Sequence, residues 1–539
     1  MIKEVNSTMK KILAFISLMV IASCVYPQST SLDWVRQKSR SWGQFLRTDF
    51  EKNIIVCGKK GVEYRNTIVV KYDTSGNELW QQIFNDSTFP GDNSRPTGME
   101  VDGLGNIYVT GITNFYPQDT APKPQVLLLK YSKNGALLWN RKYGTTDGLV
   151  GSGRDLKVYG NRLIYISTIM SPTWFNSTIH GGVVCYDSSG TFLWAKNDTN
   201  IYESQSESIL SDKNGNCYAV SLSGCCPPGY KMSVTKFDSL GNQKWFHPIL
   251  DSAYYYGDPN VSIIDDSANI YIMGQTEKIN STTGYDCVVA KLDSAGNQKW
   301  FTVYNSSPSN TGWDVGRDID VAGNGNIYVC GAVGAGSFRK PFVIKISKNG
   351  NLDWTYFGNY RTELNSGVVF DSLNYLAVGD YNLATGTGTS LLNFDSDSGT
   401  LKWTNQYSNQ YGTFNIENIG NMLLVSALDV NDGSTYDDDS LTLMKFNYDV
   451  LNKIASIRIK ELNEVRISPN PCREKAVLTF SEPLQCSIII NVTNALGIIV
   501  CEHELCFPYI LNTETWSAGI YFLSSTIQGK LYFNKVIKL

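Results

Sequence analysis

A ten-residue pattern that ends in tryptophan recurs along this chain and constrains its fold more than any other feature. The first full copy reads KYDTSGNELW at 71–80, and later copies include KYSKNGALLW, KFDSLGNQKW and KISKNGNLDW. Each copy places Asp, Ser, Asn and Gly, residues that form tight turns, ahead of an apolar segment. A turn copied this often indicates a repeated structural unit rather than a single binding site.

A second repeated segment lies between the tryptophans. It reads DGLGNIYVTGIT at 102–113 and has counterparts at 212–224, 265–276 and 322–333. With its flanking segments it defines a unit of four short strands, in which apolar residues alternate and turn residues separate the strands. Such a unit predicts two successive antiparallel hairpins.

The tryptophans set the period of the repeat, which is about 50 residues. A four-stranded unit at this period is typical of a β-propeller, in which each blade buries its sheet faces against its neighbours. We predict that each tryptophan lies on an outer strand with its ring against the adjacent blade, as a packing element. The tryptophans in this register are Trp34, Trp80, Trp139, Trp194, Trp245, Trp300, Trp354 and Trp403.

The two ends of the array predict the number of blades. Trp34 stands in a lone strand, LDWVRQKS, ahead of the first whole unit, whereas residues 415–449 supply three strands without a tryptophan. The missing strand of the last blade is therefore predicted to come from the N-terminal end, which removes exposed sheet edges. Seven whole units and this composite make an eight-bladed β-propeller. The alternative is a seven-bladed ring with Trp34 outside it.

The composition narrows the functional classes. Charged residues are 18% of the chain and the formal net charge is −4, so nothing favours nucleic acid, whose recognition needs a basic surface. The chain has 3 histidines, and no recognised triad motif, P-loop or HExxH motif is present. Abundant Tyr and Gly with few charges suit an exported all-β protein.

The N-terminus predicts export. Residues 9–23, MKKILAFISLMVIAS, join two lysines to an apolar run that is too short for a membrane anchor, as in a signal peptide. We predict a signal peptide over residues 1–28. The alternative, suggested by IASC at 21–24, is lipidation of Cys24. No later segment is long and apolar enough to predict a transmembrane helix.

After residue 450 the repeat stops and a different pattern follows. Residues 466–539 contain alternating apolar strands after an early Pro-Asn-Pro turn, which predicts a small C-terminal β-sandwich. The segments SPNP, NALG, AGIYFL and KVIKL resemble the C-terminal sorting domain of the type IX secretion system of Bacteroidota. The sorting-motif residues are Pro469, Asn470, Pro471, Gly519, Lys535 and Lys538.

This resemblance implies handling by the type IX secretion machinery. The chain would cross the outer membrane, lose the sorting domain, and then be attached to the cell surface or released. The predicted organisation is a signal peptide at 1–28, a β-propeller at 29–450, a linker at 451–465 and a sorting domain at 466–539.

The repeats themselves resemble two families. Over roughly residues 32–450 they are similar to the β-propeller repeats of exported bacterial proteins. DTSGNELW at 73–80 is also similar to the docking motif of the quinoprotein dehydrogenases, which are eight-bladed propellers. The adjacent Cys225 and Cys226 resemble a cysteine pair beside the cofactor of that family, but its calcium ligands and catalytic Asp have no counterparts here. We expect a vicinal disulfide, or pairing of one of the two thiols with Cys217.

The longer predicted loops suggest where a ligand binds. Residues 111–125, 167–182 and 221–231 each join the second and third strands of a blade, so they cluster on one rim. Tyr116, Trp174 and Phe175 lie in these loops and are aromatic residues of the kind that stack on sugars. We predict a secreted or cell-surface protein that is not an enzyme and binds or adheres to a glycan or protein. The alternative is a propeller enzyme, either quinone-dependent or polysaccharide-degrading.

An acidic loop near the end of the array is a candidate calcium site. Carboxylate oxygens in a loop can bind Ca²⁺, but the spacing of these residues does not fit an EF-hand. A solvated turn is the preferred interpretation, and we expect no metal or other cofactor. The acidic residues are Asp429, Asp432, Asp437, Asp438 and Asp439.

Overall fold

The computed structural model describes most of the chain from residue 30 onward. In these ranges it contains β-strands and no helix. No helix long and apolar enough to span a membrane occurs among the described residues. The described residues are 30–39, 41–61, 66–85, 94–113, 124–144, 150–171, 179–197, 204–224, 229–249, 254–278, 284–306, 313–334, 339–358, 362–371, 374–383, 386–408, 411–419, 422–429, 440–448, 465–468, 472–480, 488–494, 499–505, 509–527 and 530–538.

The strands up to residue 448 form eight antiparallel sheets of four strands each, which are the blades of a propeller. Blade 1 contains β2 (Ser41–Thr48), β3 (Ile54–Lys60), β4 (Asn66–Tyr72) and β5 (Glu78–Phe84). Blade 2 contains β6 (Arg95–Val101), β7 (Ile107–Thr113), β8 (Gln125–Tyr131) and β9 (Leu137–Tyr143). Blade 3 contains β10 (Val150–Tyr159), β11 (Leu163–Ser171), β12 (His180–Asp187) and β13 (Phe192–Asn197). Blade 4 contains β14 (Ser204–Ser211), β15 (Cys217–Ser223), β16 (Lys231–Phe237) and β17 (Gln243–Pro248).

The second half of the ring follows the same order. Blade 5 contains β18 (Tyr254–Ile264), β19 (Ile270–Lys278), β20 (Asp286–Leu292) and β21 (Gln298–Tyr304). Blade 6 contains β22 (Trp313–Val321), β23 (Ile327–Gly334), β24 (Lys340–Ile346) and β25 (Leu352–Phe357). Blade 7 contains β26 (Thr362–Asp371), β27 (Asn374–Leu383), β28 (Gly386–Asp395) and β29 (Leu401–Ser408). Blade 8 contains β30 (Tyr411–Ile419), β31 (Met422–Asp429), β32 (Ser440–Tyr448) and β1 (Thr30–Ser39).

Blade 8 is built from both ends of the array. Its fourth strand is β1, which pairs antiparallel with β32 and places Trp34 opposite Lys445. The prediction of an eight-bladed ring closed by an N-terminal strand is confirmed. The seven-bladed alternative, with Trp34 outside the ring, is wrong because this strand completes the sheet of blade 8.

The hydrophobic core lies between the blades. Because both faces of a blade meet a neighbouring blade, its middle strands are apolar on both faces, and all seven residues of β7 are buried. Each of the eight neighbouring pairs of blades shares an apolar cluster. The cluster between the last and first blades packs Leu424 and Leu441 against Leu46 and Val56. Ring closure therefore buries apolar surface as the other interfaces do.

The chain from Asp449 onward forms a second compact unit. It contains two antiparallel sheets in the part that the structure describes. One sheet contains β33 (Val465–Ser468), β34 (Lys475–Phe480) and β37 (Tyr509–Asn512). The other contains β35 (Ile488–Asn494), β36 (Ile499–Leu505), β38 (Gly519–Ile527) and β39 (Lys530–Lys538). The packing of these sheets as a β-sandwich stays a prediction.

Candidate ligand-binding site

The turn in front of each repeated tryptophan forms a contact between blades. In blade 1, the Asp73 carboxylate accepts a hydrogen bond of 2.8 Å from the backbone N–H of Asn77. Gly76 adopts a φ of +79°, in the left-handed region. The Trp34 indole of blade 8 donates from Nε1 to the Thr74 carbonyl over 3.3 Å. A Cβ atom on Gly76 would lie 2.9 Å from that indole ring, so only glycine fits beneath it.

The same arrangement recurs around the ring. In each case the tryptophan of one blade lies on the left-handed turn glycine of the next blade. Seven of the repeated tryptophans therefore connect blades in this way. The other pairs are Trp80 with Gly135, Trp139 with Gly190, Trp194 with Gly241, Trp245 with Gly296, Trp300 with Gly350 and Trp354 with Gly399.

Trp403 in blade 7 is the exception. The next blade is the composite one, whose third and fourth strands come from opposite ends of the array, so no hairpin turn joins them. Trp403 instead lies in the apolar cluster with Met444 and Phe446 and is 6% exposed. Its buried Nε1 has no hydrogen-bond acceptor among the described residues.

A lysine on the third strand binds the same turns. Lys71 of blade 1 donates to the Lys133 carbonyl of blade 2 over 3.0 Å, and Lys445 of blade 8 donates to the Thr74 carbonyl of blade 1 over 2.8 Å.

The short turns, which join strands one to two and three to four, all lie at one end of the blades. We call this end the turn face. On the turn face, side chains of one blade contact the turns of the next blade.

The opposite end, the loop face, carries the connections between strands two and three and between successive blades. The predicted rim residues Tyr116, Trp174 and Phe175 lie outside the described residues. The strands that precede them, β7 and β11, end at Thr113 and Ser171 on this face.

Several other predicted positions are also outside the described residues. This is the case for the signal peptide, for Cys225 and Cys226, for most of the linker and for Pro469, Asn470 and Pro471. Of the acidic loop, Asp429 is the last residue of β31, and the other four aspartates are not described. Among the described residues, no group of three or more His, Cys, Asp or Glu side chains could hold a metal ion.

The innermost strands of blades 1 to 7 each contain a β-bulge at an equivalent register. A bulge inserts one residue that the partner strand does not pair, and it redirects that side chain. In blades 1 to 7 the inserted residue is always polar. The inserted residues are Gln44, Thr97, Arg154, Glu207, Asn260, Arg317 and Asn365.

Four of these inserted residues line a cavity of about 520 Å³ at the inner ends of blades 1 to 4. The lining residues sit near the loop-face ends of their strands, so we call it the channel-mouth cavity. Its volume is in the range of sites for small ligands. The lining residues are Gln44, Phe45, Lys59, Arg95, Pro96, Thr97, Ile112, Ser152, Arg154, Ile169 and Glu207.

The described lining of the channel-mouth cavity is rich in cations. It contains Lys59, Arg95 and Arg154 and, among its described residues, one carboxylate, Glu207. Arg154 donates from Nε to Glu207 Oε2 over 3.0 Å and makes a second, shorter contact from Nη2. Among the lining residues that the structure describes, cations therefore outnumber carboxylates by three to one, in a chain whose net charge is −4. Walls of low dielectric strengthen such a local field.

A second group of charges lies three residues further along the innermost strands, roughly 10 Å towards the turn face. Arg47 lies 3.5 Å from both Glu100 and Glu417, and Lys157 lies 2.5 Å from Glu100. We call these four residues the ionic belt. They come from blades 8, 1, 2 and 3, so the belt connects the two ends of the array.

Burial and pairing act in opposite directions on the carboxyl groups of the ionic belt. Burial alone would raise the pKa of Glu100, but the Lys157 and Arg47 cations outweigh it and the pKa falls. Burial raises the pKa of Glu417 to about 7 despite the attraction of Arg47. In blade 6, burial also raises the pKa of Asp320 to about 6.

Sequence reasoning missed the channel-mouth cavity. Its charged residues come from four blades and from positions that are not alike between repeats. The one available signal was the polar residue at the equivalent position of each first strand, as in GQFLR at 43–47, GRDLK at 153–157 and SESIL at 206–210. That signal appears only when the first strands are aligned with one another.

Comparison with known families identifies the C-terminal segment. Residues 466–539 match the family described as the secretion system C-terminal sorting domain. The resemblance to a type IX sorting domain is thereby confirmed, and it indicates export to the cell surface or the medium. The match covers none of the propeller. No curated protein matches the chain.

Comparison with solved structures gives matches of low identity and low TM-score. A protein of unknown function from Bacteroides caccae is 11% identical with a TM-score of 0.32, covering 56% of this chain and 93% of that one. A protein of unknown function from Dyadobacter fermentans is 11% identical with a TM-score of 0.35, covering 77% and 99%. A PL25 ulvan lyase is 13% identical with a TM-score of 0.39, covering 65% and 91%. Matches at these identities and TM-scores assign no ligand or chemistry to this chain. The likeness to quinoprotein dehydrogenases stays a resemblance of one motif.

Proposed function

We propose that this protein is an exported, non-catalytic binding protein whose propeller holds its ligand at the loop-face mouth of the central channel. The observation that carries the proposal is the channel-mouth cavity, which four blades form together. A cavity of this size with convergent polar side chains and apolar walls is typical of a ligand site.

The contrast between the two faces of the ring supports this location. On the turn face, tryptophan and lysine side chains of one blade occupy the turns of the next. On the loop face, the channel-mouth cavity opens beside the strand ends from which the predicted rim loops begin. Tyr116, Trp174 and Phe175 would then extend the site, since Tyr116 follows the lining residue Ile112 by a few residues.

The chemistry of the lining supports a binding role. Glycoside hydrolysis generally needs two carboxyl groups on either side of the bond that is broken. Among the described residues that line the cavity, Glu207 is the one carboxylate, and Arg154 binds it. We therefore propose that a bound glycan or other ligand leaves chemically unchanged.

Export supports a ligand outside the cell. The sorting domain at 466–539 directs the chain to the cell surface or the medium. A glycan or protein of the surroundings, or of the cell's own surface, is then the accessible class of partner. Removal of a signal peptide at 1–28 and of the sorting domain are parts of the same proposal.

The test is binding of the purified protein to a glycan array, repeated with two matched variants. Ile169→Trp fills the channel-mouth cavity, because Ile169 lies in its lining opposite Ser152. Leu222→Trp changes the equivalent position of blade 4, opposite Gln205, which does not line the cavity. We expect Ile169→Trp to abolish binding and Leu222→Trp to retain it.

Three results would contradict the proposal. They are equal binding by both tryptophan variants, no ligand on the array, and release of shortened products from the bound glycan. The last result would favour a polysaccharide-degrading enzyme. Thermal unfolding of both variants checks that the ring is intact.

A further inference from the structure

We propose that the channel-mouth cavity recognises an acidic saccharide, a sugar residue that carries a carboxylate or sulfate group, with Arg154 as the principal anion-binding side chain. This inference rests on the proposed function, since it assigns a ligand class to the same cavity. It is carried by the charges, one buried acceptor and the apolar wall of the lining.

The cations converge only in the folded ring. Lys59 comes from blade 1, Arg95 from blade 2 and Arg154 from blade 3, and all three line one cavity. Cations outnumber carboxylates among the described lining residues, whereas the whole chain has a net negative charge. An anionic group is therefore the chemical class that this cavity attracts.

Glu207 orients Arg154 without occupying the whole guanidinium group. Both hydrogen bonds of Arg154 to described residues go to Glu207 Oε2, through Nε and Nη2. Nη1 points away from this pairing and remains for a ligand, and the Arg154 side chain is 40% exposed. A guanidinium held in a fixed plane suits carboxylate and sulfate oxygens, which it binds in a planar geometry. Glu207 is a positioning residue in this arrangement.

Gln44 supplies an acceptor for a hydroxyl group. Its Oε1 atom is buried in the described part of the chain and receives no hydrogen bond there. A buried acceptor without a donor is unfavourable, and a ligand hydroxyl in the cavity would satisfy it. The amide could also turn and donate from its nitrogen, which a sugar hydroxyl equally accepts.

The apolar part of the lining suits a sugar ring. Phe45, Pro96, Ile112 and Ile169 line the same cavity as the three cations. A pyranose ring has apolar C–H faces that pack on such surfaces, while its hydroxyl groups bond to polar residues at the edge. A ligand with an anionic group, hydroxyl donors and an apolar face satisfies all three kinds of lining residue, and an acidic sugar has these features.

The test is calorimetric titration of the purified protein with four probes. The probes are tetragalacturonate, its fully methyl-esterified form, a chondroitin sulfate tetrasaccharide and tetraglutamate. We expect at least one acidic saccharide to bind at least tenfold more tightly than the neutral ester. We also expect its affinity to fall as salt concentration rises.

Two arginine variants separate this site from general charge effects. Arg154→Gln removes the proposed anion-binding group, and we expect about a tenfold loss of affinity for the acidic saccharide. Arg317→Gln removes the arginine at the equivalent bulge of blade 6, which does not line the cavity, and should leave affinity unchanged. Equal losses in both variants would overturn the assignment.

The other outcomes distinguish the inference from the proposed function. Equal binding of the acid and the ester, with loss in Ile169→Trp, would overturn the acidic ligand and leave the cavity as the binding site. Tightest binding of tetraglutamate would replace the saccharide by an acidic peptide. Binding of none of the probes would overturn the inference, while the glycan array decides the proposed function independently.

Discussion

Gly241 illustrates how much one residue of the turn contributes. It has a φ of +81°, and a Cβ atom there would lie 2.7 Å from the Trp194 ring of the preceding blade. Glycine therefore meets two separate requirements, a left-handed backbone and close contact with an aromatic ring. Gly160 meets only the first, since its φ is +55° and nothing lies within 4 Å of its Cβ position.

We predict that Gly241→Ala destabilises the propeller more than Gly160→Ala does. The left-handed backbone costs each variant about 1 kcal/mol. The displaced Trp194 ring should add roughly 1–3 kcal/mol in Gly241→Ala alone. The midpoints of thermal unfolding of the two variants check this. Equal midpoints would show that the Trp194 ring makes no close contact with the turn at residue 241.

Glu417 is a partly buried carboxyl group of the ionic belt whose titration should affect stability. Burial raises its pKa from an ordinary 4.5 to about 7, with Glu100 opposing and Arg47 favouring ionisation. The folded state therefore holds a proton that the unfolded chain releases above about pH 4.5. The stabilisation of the folded state by this bound proton is fully present below pH 4.5 and is lost as the pH rises through 7.

The free energy of unfolding should fall between pH 5 and 8 in the parent protein. We predict that this fall is smaller in Glu417→Gln by roughly 1–3 kcal/mol. The amide carries no charge to desolvate, and Arg47 keeps its contact with Glu100. Unfolding midpoints across this pH range are the measurement. Glu51→Gln, which removes an exposed carboxylate on the turn face, is the control and should keep the profile of the parent protein. Unchanged pH dependence in Glu417→Gln would be inconsistent with this account.

The closing strand β1 is the element on which the ring depends. It is the outer strand of blade 8, and Trp34 on it contacts the turn of blade 1 as Trp80 contacts the turn of blade 2. Each interface between blades buries a similar apolar cluster, so a closed ring leaves no apolar blade face exposed at the join.

We predict that Trp34→Ala and Trp80→Ala lower stability by similar amounts, roughly 2–4 kcal/mol. Both changes remove an indole from an interface between blades, together with its hydrogen bond to a turn carbonyl. Thermal unfolding measured at one scan rate compares them. If Trp34→Ala left the stability nearly unchanged while Trp80→Ala lowered it, β1 would be dispensable for the ring.

The strands and their order could be predicted from the sequence because the information is local and repeated. Turn residues, alternating apolar positions and one tryptophan register specify a blade, and the unmatched Trp34 specifies how the ring closes. The different environment of Trp403 was not predictable in the same way. It depends on which turn the next blade lacks, and therefore on the closed structure.

The bulges and the channel-mouth cavity could not be predicted by the same reasoning. A bulge is a mismatch between paired strands, so it appears only once the pairing register is known. The cavity gathers Lys59, Arg95 and Arg154 from three blades, and the distances between them depend on the curvature of the ring. Aromatic residues of the rim loops remain predictions from composition and loop length.

The chain contains a closed ring and a second unit that includes the sorting domain. The propeller ends at Tyr448, and the sorting domain occupies 466–539. Export would then depend on the C-terminal unit and ligand binding on the ring. The two activities should be separable by truncation.

We predict that deletion of residues 466–539 leaves the protein inside the cell envelope. The variant should still bind the ligand of the parent protein after extraction, because the channel-mouth cavity belongs to blades 1 to 4. Cell fractionation and mass spectrometry of the extracellular protein check both parts. Normal amounts of the truncated variant in the medium or on the surface would contradict a role for this domain in sorting.

The central claim is that the ligand lies in the channel-mouth cavity. The most direct measurement is a crystal structure of the protein with the acidic oligosaccharide that binds best in the titrations. We predict ligand density among blades 1 to 4, with an anionic group on Arg154 and a hydroxyl group at Gln44. Density on the turn face or along the outer strands, with the channel-mouth cavity empty, would contradict the claim.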